Sequence, residues 1–173
     1  IEKSREPKLA YWGPILKDSA PARTLVPQAL QGDHLTLEGQ TLQLIGHDPK
    51  HTSLWIPSIK AVVGGVLTYA NIHPWIADAQ TPQARQTWLK SLYELEALEP
   101  KTLVPGHFMG QPKLNLDDLR FTRNYLNDLE AALPKAKNSQ ALIEAMKAKY
   151  PALLDASSLE LSAKVLKGEM QWP

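Results

Sequence analysis

Five histidines are spread along the 173 residues, and two sit where chemistry is ordinarily done. His51 opens the run H-T-S-L-W-I-P-S-I-K, and His107 closes the run K-T-L-V-P-G-H. Each stands where an apolar strand meets a polar loop, a position from which a neutral imidazole can be held rigidly enough to bind zinc. The same pattern also suits two hydrogen-bonded turn histidines. His47 lies four residues before His51, but across G-H-D-P rather than on a helix, so the helical His-x-x-x-His zinc arrangement does not apply. Between the two leading histidines runs N-I-H-P-W-I-A-D, in which His73 and Asp78 can hold a substrate by hydrogen bonds while Trp75 supplies apolar contact. They can equally tie the loop down. Gly64-Gly65 is too short for a phosphate loop, and marks either a close backbone approach beside a pocket or a bulge.

Other chemistries find little support. The sequence contains no cysteine, which excludes disulfides, thiolate metal sites and cysteine nucleophiles. No G-x-S-x-G elbow marks a serine nucleophile, and the acidic residues fall mostly on helical surfaces rather than as a glycosidase pair. With 19 basic and 18 acidic residues the net charge is +1, which gives no electrostatic footprint for nucleic acid. The apolar run from Trp55 to Tyr69 is interrupted by Pro57, Lys60 and the glycine pair, so no membrane span is expected. The expectation is a soluble protein, with cytoplasm and periplasm both open. The chain begins at Ile1 and carries no signal-peptide pattern, which is compatible with removal of an upstream segment.

The elements that must position these residues follow from periodicity. Residues 1–34 are aperiodic and broken by Pro7, Pro14, Pro21 and Pro27, so no regular element is expected there. Thr41–Ile45 alternates as a strand after a weaker alternation from Asp33. Thr52–Ile56 and Ile59–Val63 read as two strands joined around Pro57-Ser58, and Val66–Ala70 as another. Thr81-Pro82 starts a helix to about Leu98, with Trp88, Leu92, Leu95 and Leu89 inward and Arg85 toward solvent. A short strand at Leu103-Val104 makes this one strand–helix–strand crossover. Helices are expected from Asn115 to Leu133, over residues 138–149, and from Ser157 or Ser158 to Gly168. The last residues, through Trp172 and Pro173, either fold back or fray. This count leaves one face of the sheet without enough polypeptide to cover it.

Taken in order, the H-T segment at His51, W-I-P-S-I-K before a strand, the G-G turn, the H-P loop and the helix running into V-P-G-H resemble the second half of the metallo-β-lactamase fold. That resemblance implies an α/β architecture, a four-layer αββα sandwich, with residues 1–173 as a single domain forming its C-terminal portion. It implies a zinc-dependent hydrolase, with one or two ions and a metal-activated hydroxide attacking a β-lactam, lactone, ester or thioester. His51 would complete the first metal site and His107 would belong to the second, while His73, Trp75 and Asp78 would line the substrate pocket. The family's H-x-H-x-D-H motif is absent from this sequence. The resemblance therefore implies a partner, the N-terminal half carrying that motif, as a cleaved fragment or separate chain; a homo-oligomer is also compatible. Gly65-Val66 stands where a metal-bridging G-D is usual, and valine cannot ligate. The alternative is a non-catalytic binding module that keeps the fold without a working metal site.

Overall fold

A computed structural model describes residues 5–21 and 23–172, arranged as a short unit up to Gly32 and a larger one from Asp33 to Trp172. The short unit carries a helix, α1 (Arg5–Leu16), followed by a 3-10 turn over Lys17–Ser19. The aperiodic sequence hid this helix. Pro7 falls in its first turn, where no helical hydrogen bond is lost, and Pro14 falls near its end.

In the larger unit the elements run β1 (His34–Leu37), β2 (Gln40–Asp48), β3 (His51–Ile56), β4 (Ala61–Val63), β5 (Tyr69–Ala70), α2 (Pro82–Ala97), β6 (Thr102–Val104), β7 (His107–Phe108), α3 (Leu116–Ala132), α4 (Ser139–Lys149) and α5 (Ser157–Leu166). A five-stranded sheet has the order β1-β2-β3-β4-β6. Its first four strands pair antiparallel, and β6 returns parallel to β4 after the α2 crossover. The helix starts are those expected: Thr81, Asn115 and Asn138 each accept a backbone N–H with the side chain.

The stretch after Gly64-Gly65 does not continue as a strand of this sheet. Both glycines have positive φ, at 68° and 72°, and turn the chain away. Only Tyr69-Ala70 becomes β5, paired with β7 in a separate two-stranded ladder with Tyr69 opposite His107.

Helices gather on one face of the sheet. Trp55, Val62 and Leu103 from the strands meet Trp88, Leu92 and Leu95 from α2 and Leu119, Tyr125, Leu126 and Leu129 from α3 in one core. Arg85, expected at the surface, lies in that core at 1% exposure. Its guanidinium donates to the Ala79 and Gln80 carbonyls at 3.0 and 2.8 Å and pairs with Glu130 of α3, so the buried charge is paired. Trp172 folds back: its indole donates to Asp78 at 2.9 Å and its carbonyl accepts from Gln80 at 3.0 Å. Pro173 lies outside the described residues.

The opposite sheet face is apolar and open. Register places Leu35 opposite Leu42, Leu44 opposite Leu54, and Leu54 beside Val63, which neighbours Val104. Leu37 and Ile56 share this face by strand alternation. Leu35, Leu37 and Leu44 are 46%, 63% and 36% exposed. No helix among the described residues is long and apolar enough to cross a membrane.

Candidate metal centre

His51 and His107 arrive at the same end of the sheet. The ladder runs from Leu54 to Val63 to Val104, so His51 lies three residues before it on β3, and His107 three residues beyond it on the chain leaving β6. The two strands are two positions apart, about 10 Å across the sheet. The glycines draw the intervening backbone together. A Cβ at Gly65 would lie 1.6 Å from the Thr52 carbonyl oxygen, and one at Gly106 would lie 1.5 Å from the Gly65 carbonyl oxygen. The residue after His51, the turn at Gly65 and the residue before His107 are therefore in direct backbone contact. Close approach explains Gly65, whereas Gly64 has open space at its Cβ position and serves the left-handed turn alone.

Each imidazole is held differently. His51 is buried, at 2% exposure, with Nδ1 3.0 Å from Asp48 Oδ2 and its ring stacked on Trp88, centroids 4.3 Å apart and planes 28° apart. Burial pushes the Asp48 carboxyl up, but the Lys50 N–H and then the His51 ring, through hydrogen bonds and charge, bring it below its ordinary value. An ionised carboxylate on Nδ1 fixes the tautomer that leaves Nε2 as the electron-pair donor. Nε2 has no hydrogen-bond partner among the described residues, yet it is not sealed in, since Thr68 Oγ1 is the one fully buried side-chain polar atom among them that lacks a partner. His107 is exposed and stacks on Tyr69, with centroids 5.0 Å and planes 19° apart. Partial desolvation holds its imidazole below the usual value and favours the neutral, ligating form.

The H-P loop residues have other engagements. His73 is 2% exposed, with Nδ1 2.9 Å from the Tyr125 hydroxyl on α3. The Asp78 carboxylate accepts two indole N–H bonds, from Trp75 at 3.2 Å and from Trp172 at 2.9 Å. These contacts tie the loop to the helices and the C-terminal segment. Its link toward His107 is Tyr69, whose hydroxyl accepts the Trp75 backbone N–H. His47 is tethered to α2, with its N–H 3.2 Å from Ser91 Oγ and its Nε2 2.6 Å from Glu94. Val66 is half-buried and offers no donor at the turn.

Among the described residues, no three His, Cys, Asp or Glu side chains come together to hold a metal ion. The tautomer-fixed His51 and the neutral-leaning His107 suit metal ligation, but they make only part of a donor set; hydrolytic zinc sites use three protein ligands and an open position. Sequence patterning marked both histidines from their strand–loop junctions. It missed Asp48, three residues upstream of His51, and it read Trp88 as core alone; Asp-x-x-His across a tight turn was the available signal.

No family model matches the sequence, and no curated protein matches it. Among solved structures, the chain is similar to a metallo-beta-lactamase family protein from Thermus thermophilus, with a TM-score of 0.59 and 17% sequence identity. The match covers 94% of this chain and 59% of that one, so the chain spans less than two thirds of the length of the protein it resembles. The sheet, its helical face and its element order have the metallo-β-lactamase-like fold.

Proposed function

We propose that this chain supplies the C-terminal half of a zinc-dependent hydrolase domain of metallo-β-lactamase type. His51 and His107 each contribute one metal ligand, and an N-terminal half carrying H-x-H-x-D-H, as a cleaved fragment or separate chain, contributes the rest. The observation carrying this reading is the backbone junction of Thr52, Gly65 and Gly106, which brings two imidazoles distant in sequence to one sheet end. The incomplete donor set and the open apolar sheet face support the need for a second polypeptide half. His51 and His107 would hold one or two zinc ions together with the other half's ligands, and the metal would supply Lewis acidity and a coordinated water of lowered pKa for attack on an acyl centre. Asp48 holds His51 in the ligating tautomer, and the exposed His107 leaves the rim open to a small β-lactam, lactone, ester or thioester. His73, Trp75 and Asp78 line the substrate pocket from the neighbouring loop, which their hydrogen bonds anchor.

Intact-mass measurement with elemental analysis of the purified protein tests this reading. The expected result is a companion polypeptide carrying H-x-H-x-D-H and bound zinc that falls sharply in His51→Ala. Zinc content unchanged in that variant, or a protein that contains no such motif and binds no metal, contradicts it and favours the non-catalytic binding module.

A further inference from the structure

The two imidazoles are linked by more than backbone. His51 lies face-on against Trp88, Trp88 meets Tyr69 with centroids 6.1 Å apart, and Tyr69 lies face-on against His107. A continuous row of four rings therefore joins one histidine to the other. The contacts at the two histidines, at 28° and 19°, are flatter than that between Trp88 and Tyr69 at 51°, Tyr125 and Tyr150 at 38°, or His73 and Tyr125 at 70°. Near-parallel contact at both histidines restricts rotation of the imidazole about its own Cβ–Cγ bond, the motion that would swing a ligating nitrogen out of line.

The two middle rings are themselves fixed. Trp88 is fully buried, and its indole N–H donates to the Leu67 carbonyl at 2.8 Å. Tyr69 is gripped by α3, where the Thr122 hydroxyl accepts its N–H at 2.8 Å and lies 3.1 Å from its carbonyl oxygen. Its phenol oxygen meets the Trp75 N–H. Each imidazole thus rests on a platform whose orientation is set by hydrogen bonds on the far side. A geometry fixed before the ligand arrives avoids the ordering cost at the moment of binding.

We propose that Trp88 and Tyr69 are positioning residues for metal binding: their rings hold the imidazoles of His51 and His107 in the orientation a metal ion needs. This rests on the reading of His51 and His107 as ligands and adds the residues that orient them. The consequence is a dependence on ring shape. Trp88→Phe keeps an aromatic face against His51, whereas Trp88→Leu keeps apolar bulk and loses the face. Tyr69→Phe and Tyr69→Leu make the same comparison at His107.

Zinc affinity, measured by competition with a chromophoric chelator on the full protein, tests this. The expected result is an affinity about tenfold weaker in Trp88→Leu, the range typical of residues that orient a ligand, with most of it restored in Trp88→Phe. The comparison is made between variants whose metal-free forms melt together. A second measurement needs no destabilising substitution. In the wild-type protein carrying 5-fluorotryptophan, the Trp88 fluorine resonance, identified by its loss in Trp88→Phe, is expected to shift on zinc addition more than that of Trp12, Trp55 or Trp172. Zinc binding with an unmoved Trp88 resonance, or equal affinity in the Phe and Leu variants, overturns the positioning role while leaving the ligand assignment intact. Failure of the wild-type protein to bind zinc overturns both.

Discussion

At the scale of single residues, buried histidines do two different jobs that their sequence settings did not separate. His51 has one ring nitrogen engaged by Asp48 and the other without a hydrogen-bond partner among the described residues, while His73 faces a tyrosine hydroxyl inside the helical layer. Burial, and after it the positive charge of Lys147, hold the His73 imidazole below its usual value against the opposing pull of Asp155. Because the folded form resists the proton, the unfolded chain binds more of it between the depressed folded value and the ordinary value near about 6.5. Stability is therefore full above that pH and is lost as the medium is acidified through it, by at most about 1.4 kcal/mol per pH unit for this one group. His107 is shifted the same way and adds to the slope. Thermal unfolding of the metal-free protein between pH 7 and 5 is expected to show a shallower decline in His73→Gln than in wild type. Identical slopes would mean that His73 does not contribute to the acid sensitivity of the fold. The strand–loop position of His51 and His107 was legible in the sequence because apolar alternation stops at each. The partner of His73 was not, since Tyr125 lies 52 residues away and only tertiary packing brings it near.

At the scale of elements, the glycines decide how closely strands and turns meet. Gly64 and Gly65 are adjacent and share a left-handed conformation, but a side chain at Gly64 would meet nothing within 4 Å, whereas one at Gly65 would collide with the Thr52 carbonyl. Gly64→Ala should cost only the conformational penalty, about 1–2 kcal/mol. Gly65→Ala should cost about 3 kcal/mol or more, because backbone strain is joined by displacement of the β3 start. Urea unfolding of the two variants checks the difference, and equal costs would mean that the junction is not tight. The helices and most strands were legible because caps and 3.6-residue spacing are local signals, visible at Thr81-Pro82 and Asn115. The fate of Val66–Thr68 was not, because apolar residues running out of a glycine turn read as a strand whether or not a neighbouring strand is there to pair with. Helix α1 was hidden for the opposite reason: prolines in a first turn and near a helix end are tolerated, yet they look the same in sequence as breakers.

At the scale of the whole molecule, the described helices of the larger unit pack against one side of its sheet. Leu35, Leu37, Leu42 and Leu44 alternate with His34, Thr36, Thr41 and Gln43, a pattern that belongs to strands with one buried face. On β1 and β2 the leucine side is exposed, and an exposed apolar surface of this kind drives association. The chain by itself is expected to self-associate and to bind an apolar dye, and Leu35→Thr, Leu37→Thr and Leu44→Thr together are expected to reduce both. Light scattering that finds a monodisperse monomer with no dye binding would contradict this. The imbalance was legible in the strand count, because the alternation along β1 and β2 is a local signal. Whether both histidines ligate zinc is tested by the anomalous scattering of zinc in crystals of the full protein. Zinc is expected about 2.0–2.1 Å from an imidazole nitrogen of His51 and of His107, through one ion or two, with the remaining ligands on the N-terminal half. Zinc bound elsewhere, with both imidazoles uncoordinated, would contradict that ligation.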